Sequence, residues 1–439
     1  MQADILQDTL PGTTPEMQQF ISAHRNDDVR TLALRAPRTP QFDLTTALQQ
    51  IAGWQTARHK LPSWAAIDGI VYPPHLSMEQ CSSEAAARYK AEVARTLLDG
   101  MPPQQGGTRL VDLTGGLGVD FSFLAPLFDT ALYNERDRRL CATARHNLAL
   151  LGLARAEVSC DEAAHLLDTM EPATMIFADP ARRDSNGGKT VAIAQCSPDV
   201  AALRDTMLGR APLLMVKLSP MLDWHKAVAD MGGSVSQVHI VATGGECKDL
   251  LIVADRHRHD SVLLTCVNDS QRCSFAVAGG EAATPPPLFD ASRLMAAGQD
   301  GAGSMYLFEP NAAVMKGGCF GQLAARYGLE AVGRNSHLFV ATHDPRHATP
   351  QDGATQEGTT PGRELPGRLF AVTGCSTMNR RSLKTLLHGT ARACVAVRNM
   401  PLTPDQLRRR LGLKDGGDHY VFGTTAADGT HVILLCKRI

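Results

Sequence analysis

Apolar and polar positions along the chain change period several times, and each change marks out a part. Stretches at 15–24, 28–34 and 43–59 return apolar residues every three or four positions, so three helices are predicted where few strand-like runs occur. Pro62, Pro73 and Pro74 break that pattern. Ser82 or Ser83 then stands where a helix cap is wanted, ahead of a stretch at 84–98 rich in Ala, Glu, Lys and Leu. Beyond it the period shortens. Apolar runs at 109–113, 131–134, 156–159, 175–178, 213–218, 238–242 and 250–254 alternate with helical stretches, which predicts βαβ units and a seven-stranded parallel sheet with helices on both faces.

Two seams follow. Residues 278–287 are rich in Gly, Ala and Pro, and from 346 to 367 nearly all large apolar residues give way to Pro, Gly, Thr and Gln. Runs at 369–372, 393–397, 420–424 and 431–436, with helical stretches at 382–388 and 403–411, predict a last unit of βαβαββ form. A chain of 439 residues exceeds one ordinary core. The predicted division is an N-terminal helical region (1–80), an α/β core (81–278), a small α+β segment (288–345) and a C-terminal α+β unit (363–439).

Charge sharpens this division. The formal net charge is −1, yet from Arg363 onward 13 lysines and arginines face 5 acidic residues. A basic unit on an acidic body suits a polyanion such as nucleic acid, and suits equally a short domain with a solvated basic face. Eleven cysteines lie singly with no Cys-x-x-Cys pair, which argues for reduced thiols and against a disulfide framework or zinc ribbon. His225, His239 and His257 lack metal-ligand spacing, so no metal is predicted. The first residues carry neither a basic start nor an apolar stretch, and no run is long enough to span a bilayer, from which a cytoplasmic location is expected.

The chemistry concentrates where the first strand ends. In Asp112-Leu113-Thr114-Gly115-Gly116-Leu117-Gly118 the glycines let a ligand approach the backbone, and Glu135, 23 residues after Asp112, ends the next strand where a carboxylate can accept from two ribose hydroxyls. The pattern describes a site for an adenosine-bearing cofactor. A dinucleotide fingerprint would need glycine where Phe121 stands. Gly188-Lys189-Thr190 hints at a P-loop, but Arg183 occupies the place of its leading glycine. Asp161, after the third strand, is read either as an acceptor for an adenine amino group or as a helix N-cap. After the fourth strand, Asp179-Pro180-Ala181-Arg182-Arg183 sets a carboxylate and a rigid loop at the sheet's carboxyl edge, where open α/β sheets bind ligands.

The order D-x-T-G-G-x-G, acidic second-strand end and D-P-x-R resembles the class I S-adenosylmethionine-dependent methyltransferases over about residues 84–255. Lys60-Leu61-Pro62, the segment 79–84 (Glu-Gln-Cys-Ser-Ser-Glu), Lys217-Leu218-Ser219-Pro220, Gly245-Glu246-Cys247-Lys248 and Glu309-Pro310-Asn311 resemble a bacterial family that adds a ferredoxin-like insert and a C-terminal THUMP-like domain. The resemblance implies a Rossmann-like seven-stranded core, S-adenosyl-L-methionine as cofactor and RNA, a tRNA or rRNA base, as acceptor. It implies Asp112, Thr114, Gly115, Gly116, Gly118, Glu135, Asp161 and Asp179 at the cofactor, and Asp179, Pro180 and Arg182 at the chemistry. Asp179 would orient the acceptor and take its proton, or else anchor its loop. Arg182 and Arg183 would hold acceptor phosphates or pair with acidic neighbours, and Lys217, near a strand end, would face the crevice toward the RNA or pair with Glu246 or Asp249. Arg380, Arg381, Lys384, Arg408, Arg409 and Arg410 are the expected phosphate contacts, although 408–410 also suit a solvated helix end.

The sequence departs from enzymes that methylate exocyclic amino groups, having Ala181 and Arg182 where a second proline and a stacking aromatic are usual. Ring-carbon methylation would need a thiol, for which Cys247 is the available residue. Trp54 and Trp64 read as base-stacking or core residues. A small-molecule or protein acceptor, or a non-catalytic RNA-binding role, are the alternatives.

Overall fold

The structure is a computed structural model that describes residues 14–35, 42–103, 106–182, 193–278, 284–298, 304–347 and 364–439. These group into two compact units, Met1–Val238 with Asp249–His259, and His239–Lys248 with Asp260–Ile439.

The first unit opens with helices α1 (Pro15–His24), α2 (Val29–Arg35), α3 (Leu44–Lys60), α4 (Pro62–Ala65), α5 (His75–Gln80) and α6 (Glu84–Asp99). Their starts follow from capping: Thr14, Asp43 and Ser83 each accept a backbone N–H of the first turn of α1, α3 and α6. Trp64, Tyr72 and Met78 are buried with Ala87, Leu117 and Val119, so the N-terminal helices share a core with the glycine turn. Asn147, fully buried, accepts from the Val71 N–H and donates to the Val71 carbonyl, stitching the same region to the α/β core. Trp64 is core, and Trp54 is covered by Arg25 and Arg58 at 4.9 and 5.5 Å while its indole N–H donates to Ala65. The core reading holds for Trp64, while Trp54 is half-buried against that core.

The sheet takes strands β1 (Arg109–Asp112), β2 (Thr130–Asn134), β3 (Glu157–Ser159), β4 (Met175–Ala178), β7 (Leu213–Leu218), β8 (Val235–Thr243) and β9 (Glu246–Asp255), with a separate two-residue ladder of β5 (Ala181–Arg182) and β6 (Cys196–Ser197). These seven run in the order β8-β9-β7-β4-β1-β2-β3 within a nine-stranded sheet that continues beyond β8. β1 pairs in parallel with β2 and β4, β2 with β3, and β4 with β7. Helices α7 (Val119–Leu124), α8 (Arg138–Leu150), α9 (Ala163–Thr169), α10 (Arg204–Arg210) and α11 (Trp224–Met231) connect the strands. The expectation of a wholly parallel sheet is corrected at one edge. β8 and β9 are joined by Gly244-Gly245, both at positive φ (60° and 78°), so β9 returns antiparallel to β7. Two glycines at positive φ make the tight turn that reverses a chain between adjacent strands.

The second unit contains β10 (Ser261–Asn268) and β11 (Gln271–Ala278), an antiparallel pair that the apolar pattern did not reveal. It continues with α12 (Ala291–Met295), β12 (Tyr306–Pro310), α13 (Ala312–Gly317), α14 (Phe320–Tyr327), β13 (Glu330–Ala331), β14 (Phe339–Ala341), β15 (Gly367–Thr377), α15 (Arg380–Leu386), β16 (Cys394–Val397), α16 (Pro404–Leu411), β17 (His419–Thr425) and β18 (His431–Arg438). The last six elements follow the expected βαβαββ order. The seven strands β13-β14-β12-β15-β18-β17-β16 form one sheet, with β12 antiparallel to β15 across the second seam. One core, including Phe289, Leu307, Val340, Phe370, Phe422 and Leu434, runs through both segments. Among the described residues none of the eleven cysteines is in a disulfide. Among the described residues no helix is long and apolar enough to cross a membrane.

Candidate functional site

The site is built at the carboxyl ends of β1, β2, β4 and β7. Asp112 ends β1, is 1% exposed, and accepts from the Thr114 N–H at 3.0 Å. Burial holds its carboxyl well above the usual range. Gly115 donates to the Asn134 carbonyl at 2.7 Å and lies so close to Tyr133 that a Cβ would fall 2.0 Å from a ring carbon. Gly116 and Gly118 take φ of 55° and 85°. A Cβ on Gly116 would meet only the Thr114 carbonyl at 3.9 Å, so the space over the turn is open. A left-handed backbone with an open flank is the cradle an extended nucleoside needs, and these residues fit such a group.

Glu135 caps the turn from β2. Its carboxylate accepts from the Gly116 N–H and the Asp137 N–H, each at 3.0 Å. Asn134, buried, donates to the carbonyls of Leu113 and Asp161 and so fixes the loops after β1 and β3 to each other. Asp161 is not the N-cap of α9, a place Glu162 takes; its carboxylate accepts from the Glu162 N–H at 2.8 Å and is paired with His165 at 2.5 Å. That pairing draws the Asp161 carboxyl below its ordinary range.

The loop after β4 is latched to the glycine turn by one bond. The Asp179 N–H donates to Thr114 Oγ1 at 2.6 Å. Pro180 is buried behind it. Asp179 Oδ2 receives the Lys217 ammonium at 2.6 Å, with 35% of the aspartate side chain exposed and 12% of the lysine. Of the two readings of Lys217 the ion pair is the one seen, its ammonium being enclosed and committed to a carboxylate. Burial is the largest influence on Asp179 and raises its carboxyl against the pull of Lys217. Arg182 lies in β5, and Arg183 and the 188–190 trio fall outside the described residues. Phe121, at the place of the missing fingerprint glycine, is fully buried.

Behind the pair lies a network that the sequence did not disclose. Lys90 on α6, fully buried, reaches Asp249 at 2.8 Å, Asp120 at 3.1 Å and Ser82 Oγ at 3.0 Å, and Asp249 lies 3.9 Å from Lys217. One signal was available: Lys90 sits between Ala86, Ala87, Val93 and Ala94 on the apolar stripe of its helix, where a charge needs a partner. Among the described residues no group of three or more His, Cys, Asp or Glu is arranged to hold a metal ion.

The expected phosphate contacts occupy the second unit. Arg380, Arg381 and Lys384 on α15 and Arg409 and Arg410 on α16 are exposed. Arg408 is instead tied to Asp405 at 2.6 Å and Asp415 at 3.3 Å, which favours its helix-end reading. Cys247 donates to the Ala312 carbonyl, and burial pushes its thiol up.

A parallel sheet joined by an antiparallel β9, a glycine turn after β1 and an acidic residue after β2 have the form of a class I methyltransferase core. Residues 306–346 match the model of a ferredoxin-like domain family, and 367–438 that of a THUMP domain-like family. Two Mycobacterium tuberculosis strains each hold a relative described as an uncharacterized S-adenosylmethionine-dependent methyltransferase, 25% identical over 345 residues, covering 77% of this chain and 80% of the relative. The crystal structure of a presumed methyltransferase from Porphyromonas gingivalis W83 matches with a TM-score of 0.75 and 29% identity, covering 96% of this chain and 97% of that one. The chain is thus a methyltransferase, with the same domain architecture as the Porphyromonas protein.

Proposed function

We propose that the chain transfers a methyl group from S-adenosylmethionine to a nitrogen or oxygen of an RNA nucleotide. The methyl donor is S-adenosylmethionine, as in the mycobacterial relatives' description. Asp112, Thr114, Gly115, Gly116, Gly118 and Glu135 hold it, with Asp161 beyond them through Asn134. It supplies a sulfonium methyl that is already electrophilic, so the chain's task is to align a nucleophile and remove its proton. Asp179 takes that proton, Pro180 keeps its loop rigid, and Arg182, in β5 just beyond, is the cation proposed for the acceptor.

The observation that carries this reading is the Thr114–Asp179 bond, which ties the carboxylate's backbone to the glycine turn. A heteroatom acceptor is favoured because ring-carbon methylation needs a thiolate, and Cys247 is a raised, hydrogen-bonded thiol. RNA is supported by the THUMP-like match over 367–438 and by Arg380, Arg381, Lys384, Arg409 and Arg410 standing exposed on that same segment. In this reading residues 81–278 perform the transfer and 363–439 capture RNA, with 1–80 supporting the core and 288–345 carrying the capture unit.

The test is transfer of labelled methyl to total RNA from a strain lacking the protein, with Asp179→Ala as control. Asp179-dependent incorporation supports the reading. No incorporation by a chain that still binds S-adenosylmethionine would move the acceptor to a small molecule or protein, and failure to bind it would leave a non-catalytic RNA-binding role.

A further inference from the structure

The buried charges beneath Asp179 are more than the fold requires. Enclosed ion pairs seldom stabilise better than apolar residues of similar volume, because desolvation offsets their attraction. Here two ammoniums, Lys90 and Lys217, and three carboxylates, Asp120, Asp179 and Asp249, form one connected chain whose exposed end is Asp179. A cluster of that kind ending at a crevice is where functional tuning is expected.

Its order sets up a competition. Lys217 lies between two carboxylates, 2.6 Å from Asp179 and 3.9 Å from Asp249. Asp249 takes its nearer cation from the other side, Lys90 at 2.8 Å. Lys90 is fixed by a second set of bonds to Asp120 and Ser82, and Ser82 Oγ donates to Asp120 Oδ2 at 2.8 Å. Because Lys90 satisfies Asp249, Lys217 remains on Asp179. We infer that Lys90 is a positioning residue for Asp179: by neutralising Asp249 it leaves the Lys217 ammonium on the carboxylate that removes the acceptor's proton. This rests on the role given to Asp179 above.

The groups facing this chain come from every element around it: Lys90 of α6, Asp120 of α7, Asp179 after β4, Lys217 of β7 and Asp249 of β9. Lys60 at the end of α3 acts on Asp249, Cys81 after α5 feels Lys217 and Asp120, and Asp179 acts on Asp112. In Lys90→Met, Asp249 loses its nearer cation and draws Lys217 away, so Asp179 should titrate higher. In Asp249→Asn the competitor is gone, so Asp179 should titrate lower. In the double variant the lysine and its carboxylate leave together, and the titration should return toward the parent's.

The experiment follows the Asp179 carboxyl by ¹³C NMR in the full chain labelled at aspartate, with Asp179→Asn identifying the signal, and needs no acceptor. Opposite shifts in the two single variants, reversed in the double, support the inference, since a merely structural cluster would not move the midpoint both ways. An unchanged midpoint in all three overturns it. Should Lys90→Met not fold, the near-isosteric Asp249→Asn decides alone: a lower midpoint supports, an unchanged or higher one overturns. If the shifts occur while the parent chain methylates no RNA, the acceptor reading falls and the positioning stands.

Discussion

Two sets of charged residues divide the work of this molecule. In the first unit, Asp112, Asp249, Lys90 and Lys217 are enclosed and Asp179 is half-buried, and each has a named partner within hydrogen-bond reach. On α15 and α16 of the second unit, Arg380, Arg381, Lys384, Arg409 and Arg410 stand in solvent. The residue types overlap, but the settings do not. An enclosed charge has its protonation and direction fixed by neighbours and suits chemistry at one atom, whereas an exposed one acts by a screened, direction-tolerant attraction that suits a polyanion's backbone.

The comparison breaks most sharply at Asp179. Asp179→Ala should lower methyl transfer by about 10²–10⁴-fold, the usual range for losing a general base, while calorimetry finds S-adenosylmethionine affinity within a few-fold of the parent. Gly115→Ala should act next most strongly, by the opposite route. Its Cβ would overlap the Tyr133 ring, so the turn must shift, costing about 1–3 kcal/mol in thermal unfolding and weakening cofactor binding.

Lys217→Met tests the enclosed set through pH. Burial works against the Asp249 carboxylate, but Lys90 and Lys217 outweigh it and depress its pKa. A carboxylate depressed in the folded state contributes stability above its unfolded pKa of about 3.9, and loses it as pH falls through the folded value. Without Lys217 that depression shrinks, so acid unfolding, followed by circular dichroism, should begin at a higher pH.

The exposed set should respond more gently. Replacing Arg380, Arg381 and Lys384 together by alanine should leave the turnover limit intact, weaken RNA binding at low salt, and reduce the slope of log affinity against log salt by about 0.7 per lost phosphate contact on a single strand. Arg408→Ala should have the smallest effect, at most about 1 kcal/mol on stability and none on the salt slope, because its guanidinium is already spent on Asp405 and Asp415.

What was legible in the sequence follows from how local each feature is. The strands at 175–178 and 213–218 and helix α1 are read from apolar period and proline alone, and the structure returns those bounds. The β8–β9 reversal is written as Gly244-Gly245 between two apolar runs, a hairpin signal overshadowed by the helical spacing elsewhere. The pair β10–β11 escapes a reading by pattern because its turn, with Asp269 at φ 54°, carries no glycine. At the site, glycine turn, Glu135 and Asp179 are visible because each ends a strand. Lys90 and Asp120 are not, since the Lys90–Asp249 bond spans 159 residues and only the closed sheet brings its ends together.

The pairing of β12 with β15 has a consequence for how such a protein is inherited and dissected. The ferredoxin-like and THUMP-like matches describe separate families, yet their strands lie side by side in one sheet over a common core. Cutting the chain at residue 363 would leave β12 with a bare row of amide and carbonyl groups, an invitation to self-association. Any excised fragment or gene fusion that respects the sheet must therefore carry both families or neither.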